Sequence, residues 1–390
     1  MRCAPTAARL FTLVLGVLLA APLALAQWDQ AELETITSGP PYDALGRNSV
    51  AIDDAGTLHA VYRRGVGAEH GLYYVSKPQG GTWSAPETVG APGTYPGWGW
   101  MDVRRGTGEP YVLFFDVGSL SLGIRRTGGW EFHVLEIPAE YGVGKVAMAV
   151  DDLGYAHVAL QLDLDDPQIW QMGYGYWDGS PDFHFQRFEW SLLPEHGLFS
   201  QPDIAVKGDG SVAVAFQQDY RGQILVRVME NAYLGGTGWT TENIDVPGVI
   251  LYSESIVSTP RGDLHLAFHV NIELGAENRV YYANRKGKKW GTPFEIGGAY
   301  TGARPRMALG TKDEPHIVFE ETLGPHSTGR IVHVTKNHGK WRQNVVQDGE
   351  AFNPTLVMDV EGNGTILFER KIVHMEDNDI ECFGYVAPPR

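Results

Sequence analysis

The chain has 390 residues, with 47 acidic against 31 basic side chains, a formal charge of −16 and only two cysteines. An acidic chain repels phosphate backbones and anionic headgroups, which argues against nucleic acid as its partner, and Cys3 with Cys382 cannot make a disulfide framework. Beyond residue 26 no apolar run reaches the roughly 18 residues of a membrane helix, so the mature chain is expected to have no membrane span.

The first element is an address. Arg2 and Arg9 flank the n-region, Leu10 to Leu19 is an apolar core, and Ala24, Leu25 and Ala26 form a small-residue cleavage site. The reading is a signal peptide over 1–26, a secreted or periplasmic destination, and a single domain over 27–390. Next comes Trp28 to Thr37 (WDQAELETIT), a tryptophan-led strand with no hairpin partner beside it.

From there the chain repeats itself. Paired apolar runs around a polar turn begin at Ser49, Trp100, Ala147, Asp203, Glu254, Arg306 and Thr355, a period of about fifty residues. Each pair is followed by a third β-rich run, such as Gly71 to Ser76 or Arg279 to Asn284. A fourth opens with Trp83, Trp130, Trp239, Trp290 or Trp341. Four short strands per repeat, rich in Val, Ile, Tyr and Phe and separated by Gly, Asp and Asn, predict an all-β, seven-bladed β-propeller of four-stranded antiparallel blades. The seventh repeat ends at its third strand, Ile380 to Val386. The strand at Trp28 to Thr37 is therefore expected to complete that last blade and close the ring.

The turn Ser76 to Trp83 (SKPQGGTW) resembles the Asp-box of the bacterial neuraminidase (BNR) repeat through Ser76, Gly80, Thr82 and Trp83, with Pro78 in place of the aspartate. The turn Ala283 to Trp290 keeps Gly287 and Trp290. The resemblance is to the sialidase-like propellers, and it implies their fold. It also implies a carbohydrate-active function, either a glycoside hydrolase or a polysaccharide lyase. Sialidase activity itself is not expected, since there is no Arg-Ile-Pro motif.

In a propeller the first strand begins and the second ends at the same face of the central channel. The polar residues at those positions are Asp203, Glu254, Arg306, Arg63, His269, Glu320 and Glu369, with Arg370 beside the last. Glu254, His269 and Glu320 are the candidate catalytic acid and base groups. Arg63, Arg306, Asp203, Glu369 and Arg370 are candidate substrate ligands, because guanidinium forks match carboxylates, and Trp98 and Trp100 are candidate sugar-stacking platforms. His59, His157, His265 and His316 share one register in four repeats and read as packing residues rather than metal ligands. No cofactor is predicted. Calcium would suit only the acidic loops Asp163 to Asp166 and Glu376 to Asp379, which lack EF-hand spacing and read as solvated charge. The expected partner is a polysaccharide or glycan. The alternative function is a non-catalytic scaffold that presents the same face to a glycan or an envelope protein.

Overall fold

The register of each repeat is decided at its first turn. Asp53 Oδ1 accepts the N–H groups of Ala55 (2.9 Å) and Thr57 (2.7 Å), and Gly56 closes the turn at φ 77°, a backbone region that glycine enters without a Cβ penalty. Gly154, Gly210, Gly262 and Gly362 close the same turn at φ 78–88°, whereas Asp313 takes that place in the sixth repeat at φ 60°.

The computed structural model describes residues 34–37, 44–64, 71–90, 99–116, 118–163, 170–188, 202–220, 223–231, 238–245, 249–273, 277–296, 303–321, 329–337, 339–349, 351–371 and 378–385. Their strands pair antiparallel into seven sheets. Sheet one contains Ala44–Ile52, Leu58–Arg64, Gly71–Lys77 and Glu87–Val89. Sheet two contains Gly99–Arg104, Glu109–Asp116, Ser119–Arg126 and Gly129–Val134. Sheet three contains Gly142–Val150, Ala156–Asp163, Trp170–Trp177 and His184–Arg187. Sheet four contains Asp203–Val206, Val212–Tyr220, Gln223–Asn231 and Trp239–Asp245. Sheet five contains Val249–Ser258, Leu264–Glu273, Glu277–Lys286 and Lys289–Trp290, with Phe294–Glu295 also on Glu277–Lys286. Sheet six contains Arg306–Leu309, Pro315–Glu321, Arg330–Asn337 and Lys340–Gln347. Sheet seven contains Ala351–Met358, Gly364–Lys371 and Asn378–Tyr385, and its fourth strand is Glu34–Thr37, which pairs Glu34 with Cys382 and Thr35 with Glu381.

The first strand of each sheet packs against the first strand of the next, and that of sheet seven against that of sheet one. The buried apolar side chains follow the same pattern, in seven clusters that each bridge two neighbouring sheets. Leu367 of sheet seven, for example, lies with Leu45, Val50 and Tyr62 of sheet one. The fold is an all-β propeller, with its core distributed among the interfaces between sheets rather than gathered in one centre.

The repeated histidines belong to these interfaces. His59, His157 and His265 each place Nδ1 2.7 Å from a tyrosine hydroxyl on the adjacent strand, Tyr74, Tyr174 and Tyr282 respectively. A tryptophan from the following sheet meets each tyrosine edge-on, Trp130 at 5.4 Å, Trp239 at 5.1 Å and Trp341 at 5.0 Å between ring centroids. In sheet six His333 replaces the tyrosine, with its Nε2 3.2 Å from Nδ1 of His316. In the two turns compared with the Asp-box the residue after the tryptophan donates back across the turn, Ser84 N–H to the Ser76 carbonyl and Gly291 N–H to that of Asn284, each at 2.8 Å.

Candidate functional site at the channel mouth

The first strands line the channel, and one edge of each has no strand partner. Its N–H groups therefore need acceptors from elsewhere. Side chains of the preceding sheet supply them. Asp203 Oδ2 accepts from Ile256 N–H (2.8 Å), Ser255 Oγ from Met307 N–H (3.1 Å), Asp102 Oδ2 from Val150 N–H (2.7 Å) and Glu320 Oε1 from Asn353 N–H (2.6 Å). Glu369 Oε1 continues the series across the seam, accepting from Leu45 N–H at 2.8 Å. The lopsided polar ring expected from sequence is thus, in the first place, a set of ties between sheets.

Several sequence assignments change in detail. Ser255, not Glu254, lies opposite Ala267 as Asp203 lies opposite Ala215 and Arg306 opposite Val318. The turn glycine sets the count, and the repeat start at Glu254 falls one residue early. Glu254 instead sits at the edge of a bulge between Ile250 and Glu254, opposite Phe268 and 0 % exposed. Trp100 is no open platform: it is 7 % exposed, meets Phe115 edge-on at 6.1 Å and belongs to the core between sheets two and three. Asp203, His269, Arg306, Glu320 and Glu369 are buried at the mouth, and Arg63 is half-buried opposite Ala44. Trp98 lies outside the described residues, as does the side chain of Arg370, which stands opposite Ala351. So do most of the acidic loops, 164–166 and 376–377; among the described residues no cluster of His, Cys, Asp or Glu fits a metal ion.

Two residues not singled out in the sequence complete the site. Arg304 and Asn353 each precede a proline at the entry to a first strand and hold left-handed backbone at φ 61° and 51°. For a residue such as arginine that conformation is uncommon and costs about 1 kcal/mol or more. It brings Arg304 Nη1 to Glu320 Oε1 (3.2 Å) and onto Asn353 Oδ1, while Asn353 Nδ2 donates to Glu369 Oε1 at 2.7 Å. Asn48, at φ 48°, reaches across the channel from sheet one to sheet four and donates its Nδ2 to Asp203 Oδ1 at 3.1 Å. Both oxygens of Asp203 are then engaged. The readable signal was the pair of dipeptides Arg304-Pro305 and Asn353-Pro354, at one register in consecutive repeats.

The charges at the mouth differ in availability. Arg306 is fully enclosed; burial lowers its guanidinium to about 10, against the pull of Asp203, Glu254 and Glu320, so it stays charged at neutral pH. The side chain of Arg304 is 51 % exposed and offers its remaining N–H groups to solvent. Glu369 is 1 % exposed, and burial raises its carboxyl to about 7, opposed by the bonds from Asn353 and Leu45 and by the charge of Arg304. Both of its hydrogen bonds among the described residues land on Oε1, which leaves Oε2 to carry the proton.

No known protein family and no curated protein matches the chain. Solved structures do resemble it in fold. An ulvan lyase from a polysaccharide lyase family, bound to -[GlcA(1-4)Rha3S]-, aligns with TM-score 0.61 and 11 % identity over 90 % of this chain and 95 % of its own. The polysaccharide lyase Uly1 aligns with TM-score 0.55 and 9 % identity over 94 % of each chain. The endosialidase of phage phi92 aligns with TM-score 0.54 and 12 % identity over 93 % of this chain and 70 % of its own.

Proposed function

We propose that this chain is an exported, carbohydrate-active propeller in which the seven sheets are seven blades, closed through Glu34–Thr37, and that its channel mouth cleaves a uronate-containing polysaccharide by β-elimination. The observation that carries this reading is Glu369, a carboxyl held at about 7, linked through Asn353 to the half-exposed guanidinium of Arg304. Arg304 binds the uronate carboxylate and spreads its charge, which makes the C5 proton removable. Ionised Glu369 takes that proton on Oε2, the C–H electron pair becomes the C4–C5 double bond, and the C4–O bond breaks. The same proton then returns to the leaving oxygen, so the step consumes no water and leaves Glu369 as it began. The likeness to ulvan lyases supports this reading at the level of fold. The signal segment over 1–26 supports a secreted or periplasmic site of action.

A second reading has its own support. Asp203, Glu320 and Glu369 all tie sheets together, as they would in a scaffold that only binds glycans or an envelope protein. The deciding experiment gives the mature protein a panel of uronate polysaccharides and follows reducing ends together with the ultraviolet absorbance of an unsaturated uronate. Elimination raises both. Glu369→Gln should lower kcat by about a hundredfold or more with little change in substrate binding, and Arg304→Ala should mainly raise KM. In the parent, kcat should rise with pH through about 7 as Glu369 ionises. Reducing ends without absorbance would mean hydrolysis, binding without either product would mean a scaffold, and a fully active Glu369→Gln would remove Glu369 from the chemistry.

A further inference from the structure

Six of the ten lysines of this acidic chain lie between residues 286 and 340, in sheets five and six. Five of them, Lys286, Lys288, Lys289, Lys336 and Lys340, sit on the hairpins that join the third and fourth strands of these two sheets. Arg285 pairs with Leu264 and Thr335 with His316, so both hairpins lie at the end of the sheets where the first turns gather, opposite the mouth.

Strand alternation brings lysines from both sheets to the seam between them. In sheet five Arg285 pairs with Trp290, and both face sheet four, where Arg285 Nη2 donates to Glu242 at 2.8 Å. Their neighbours Lys286 and Lys289 pair with each other and face sheet six. From sheet six Lys336 pairs with Trp341 and holds Nζ 5.7 Å from the centre of its ring. Trp341 packs on sheet five, edge-on to Tyr282 and parallel to Phe294, at 6.4 Å and 7°. Phe294 is 54 % exposed, so an aromatic face open to solvent stands beside the lysines. The charges of Lys286 and Lys336 both reach His265, as do those of Asp263 and Asp313 from the first turns. Asp263 already accepts from Gly287 N–H at 3.2 Å, and the next carboxylate, Glu314, accepts from Lys312 N–H at 2.7 Å. Lys286, Lys288, Lys289 and Lys340 make no ion pair with a carboxylate among the described residues, and the excess of charge here is cationic. Like charges directly opposite, as at Lys286 and Lys289, destabilise a hairpin, a cost that an anion bound between them would offset.

We infer that the seam between sheets five and six is a second binding site, on the face opposite the mouth, for an acidic polysaccharide: its anionic groups on Lys286, Lys289 and Lys336, and the C–H face of a sugar ring on Phe294. A polyphosphate or a lipid headgroup would use the lysines alone, whereas a polymer of acidic sugars uses both. The site shares the polymer class of the proposed cleavage but none of its chemistry. The test is calorimetric titration with polygalacturonate of the mature chain carrying Arg304→Ala, so that the mouth contributes little. The polymer should bind, and more weakly as salt is raised. Replacing Lys286, Lys289 and Lys336 together by alanine should weaken binding by about tenfold, and Phe294→Ala by a few-fold, with the fold intact by melting temperature. With Arg304 restored, the triple variant should cleave a short uronate oligosaccharide as the parent does; binding here without cleavage in the parent would refute the mouth reading and leave this one standing. A triple variant or a Phe294→Ala chain that binds as its background does, or neutral dextran bound as tightly as polygalacturonate, would each overturn the proposal. So would lysine-dependent binding of phosphatidylglycerol vesicles by a chain that does not bind polygalacturonate.

Discussion

Asp313 stands where five equivalent turns carry glycine, and it holds the same left-handed backbone at φ 60°. An L-residue there crowds its Cβ against the following carbonyl, at a cost of about 1 kcal/mol that glycine avoids, less the extra entropy glycine has when unfolded. Asp313→Gly should therefore stabilise the protein by roughly 0.5 kcal/mol in urea unfolding, and Asp313→Ala should not; a gain in Ala equal to that in Gly would refute backbone strain as the cause. At the same scale the mouth was only partly legible. Side-chain type and strand position pointed to Glu320, Glu369 and Arg306, because a polar residue at a strand end is visible in any repeat. Arg304 and Asn353 were missed because they work through a left-handed backbone, bulged as well at Asn353, which strand counting does not register. Trp100 was misassigned because an aromatic at a strand entry looks the same in sequence whether it faces water or the next sheet.

The strands were the most legible level, since a repeat read seven times corrects its own errors: all seven hairpins starting near Ser49 to Thr355 are present. The fourth strands are harder to place. In sheet five that position is shared between Lys289–Trp290 and Phe294–Glu295, split around Gly291, whereas sheet six has one strand of eight residues, Lys340–Gln347. The element with the largest consequence is Glu34–Thr37. It is short, yet it covers the edge of Asn378–Tyr385 and sets Ile36 against the cluster between sheets seven and one. Deleting residues 27–38 should lower the melting temperature by several degrees and promote association through the freed edge. A deletion variant that melts like the parent and stays monodisperse would show that the strand contributes little.

Across the whole molecule two sets of buried groups titrate against each other. Burial holds His265 and His316 down at about 4, and pushes His59 and His333 below their ordinary value. Each stays neutral in the fold while the unfolded chain protonates it below about 6.5, so its stability contribution is present above that pH and is lost as pH falls towards 4. Glu369 at about 7 and Asp102 at about 6 act in the reverse sense: their contribution is complete below about 4 and is lost as pH rises through 6 and 7. Four histidines oppose two carboxyls, so the melting temperature should fall between pH 6.5 and 4. His265→Gln, which keeps a hydrogen-bonding group beside Tyr282 but cannot titrate, should make that fall shallower; an equal fall in the variant would locate the acid sensitivity elsewhere. The pairing of Glu34 with Cys382 bears on time rather than on equilibrium. The first described strand to be synthesised has to wait for the last before either edge is satisfied, so the ring is assembled open and locked in a single late event. Once locked, opening it means tearing a hydrogen-bonded sheet from the inside, and the lifetime of the folded protein is set by the rate of that one rupture.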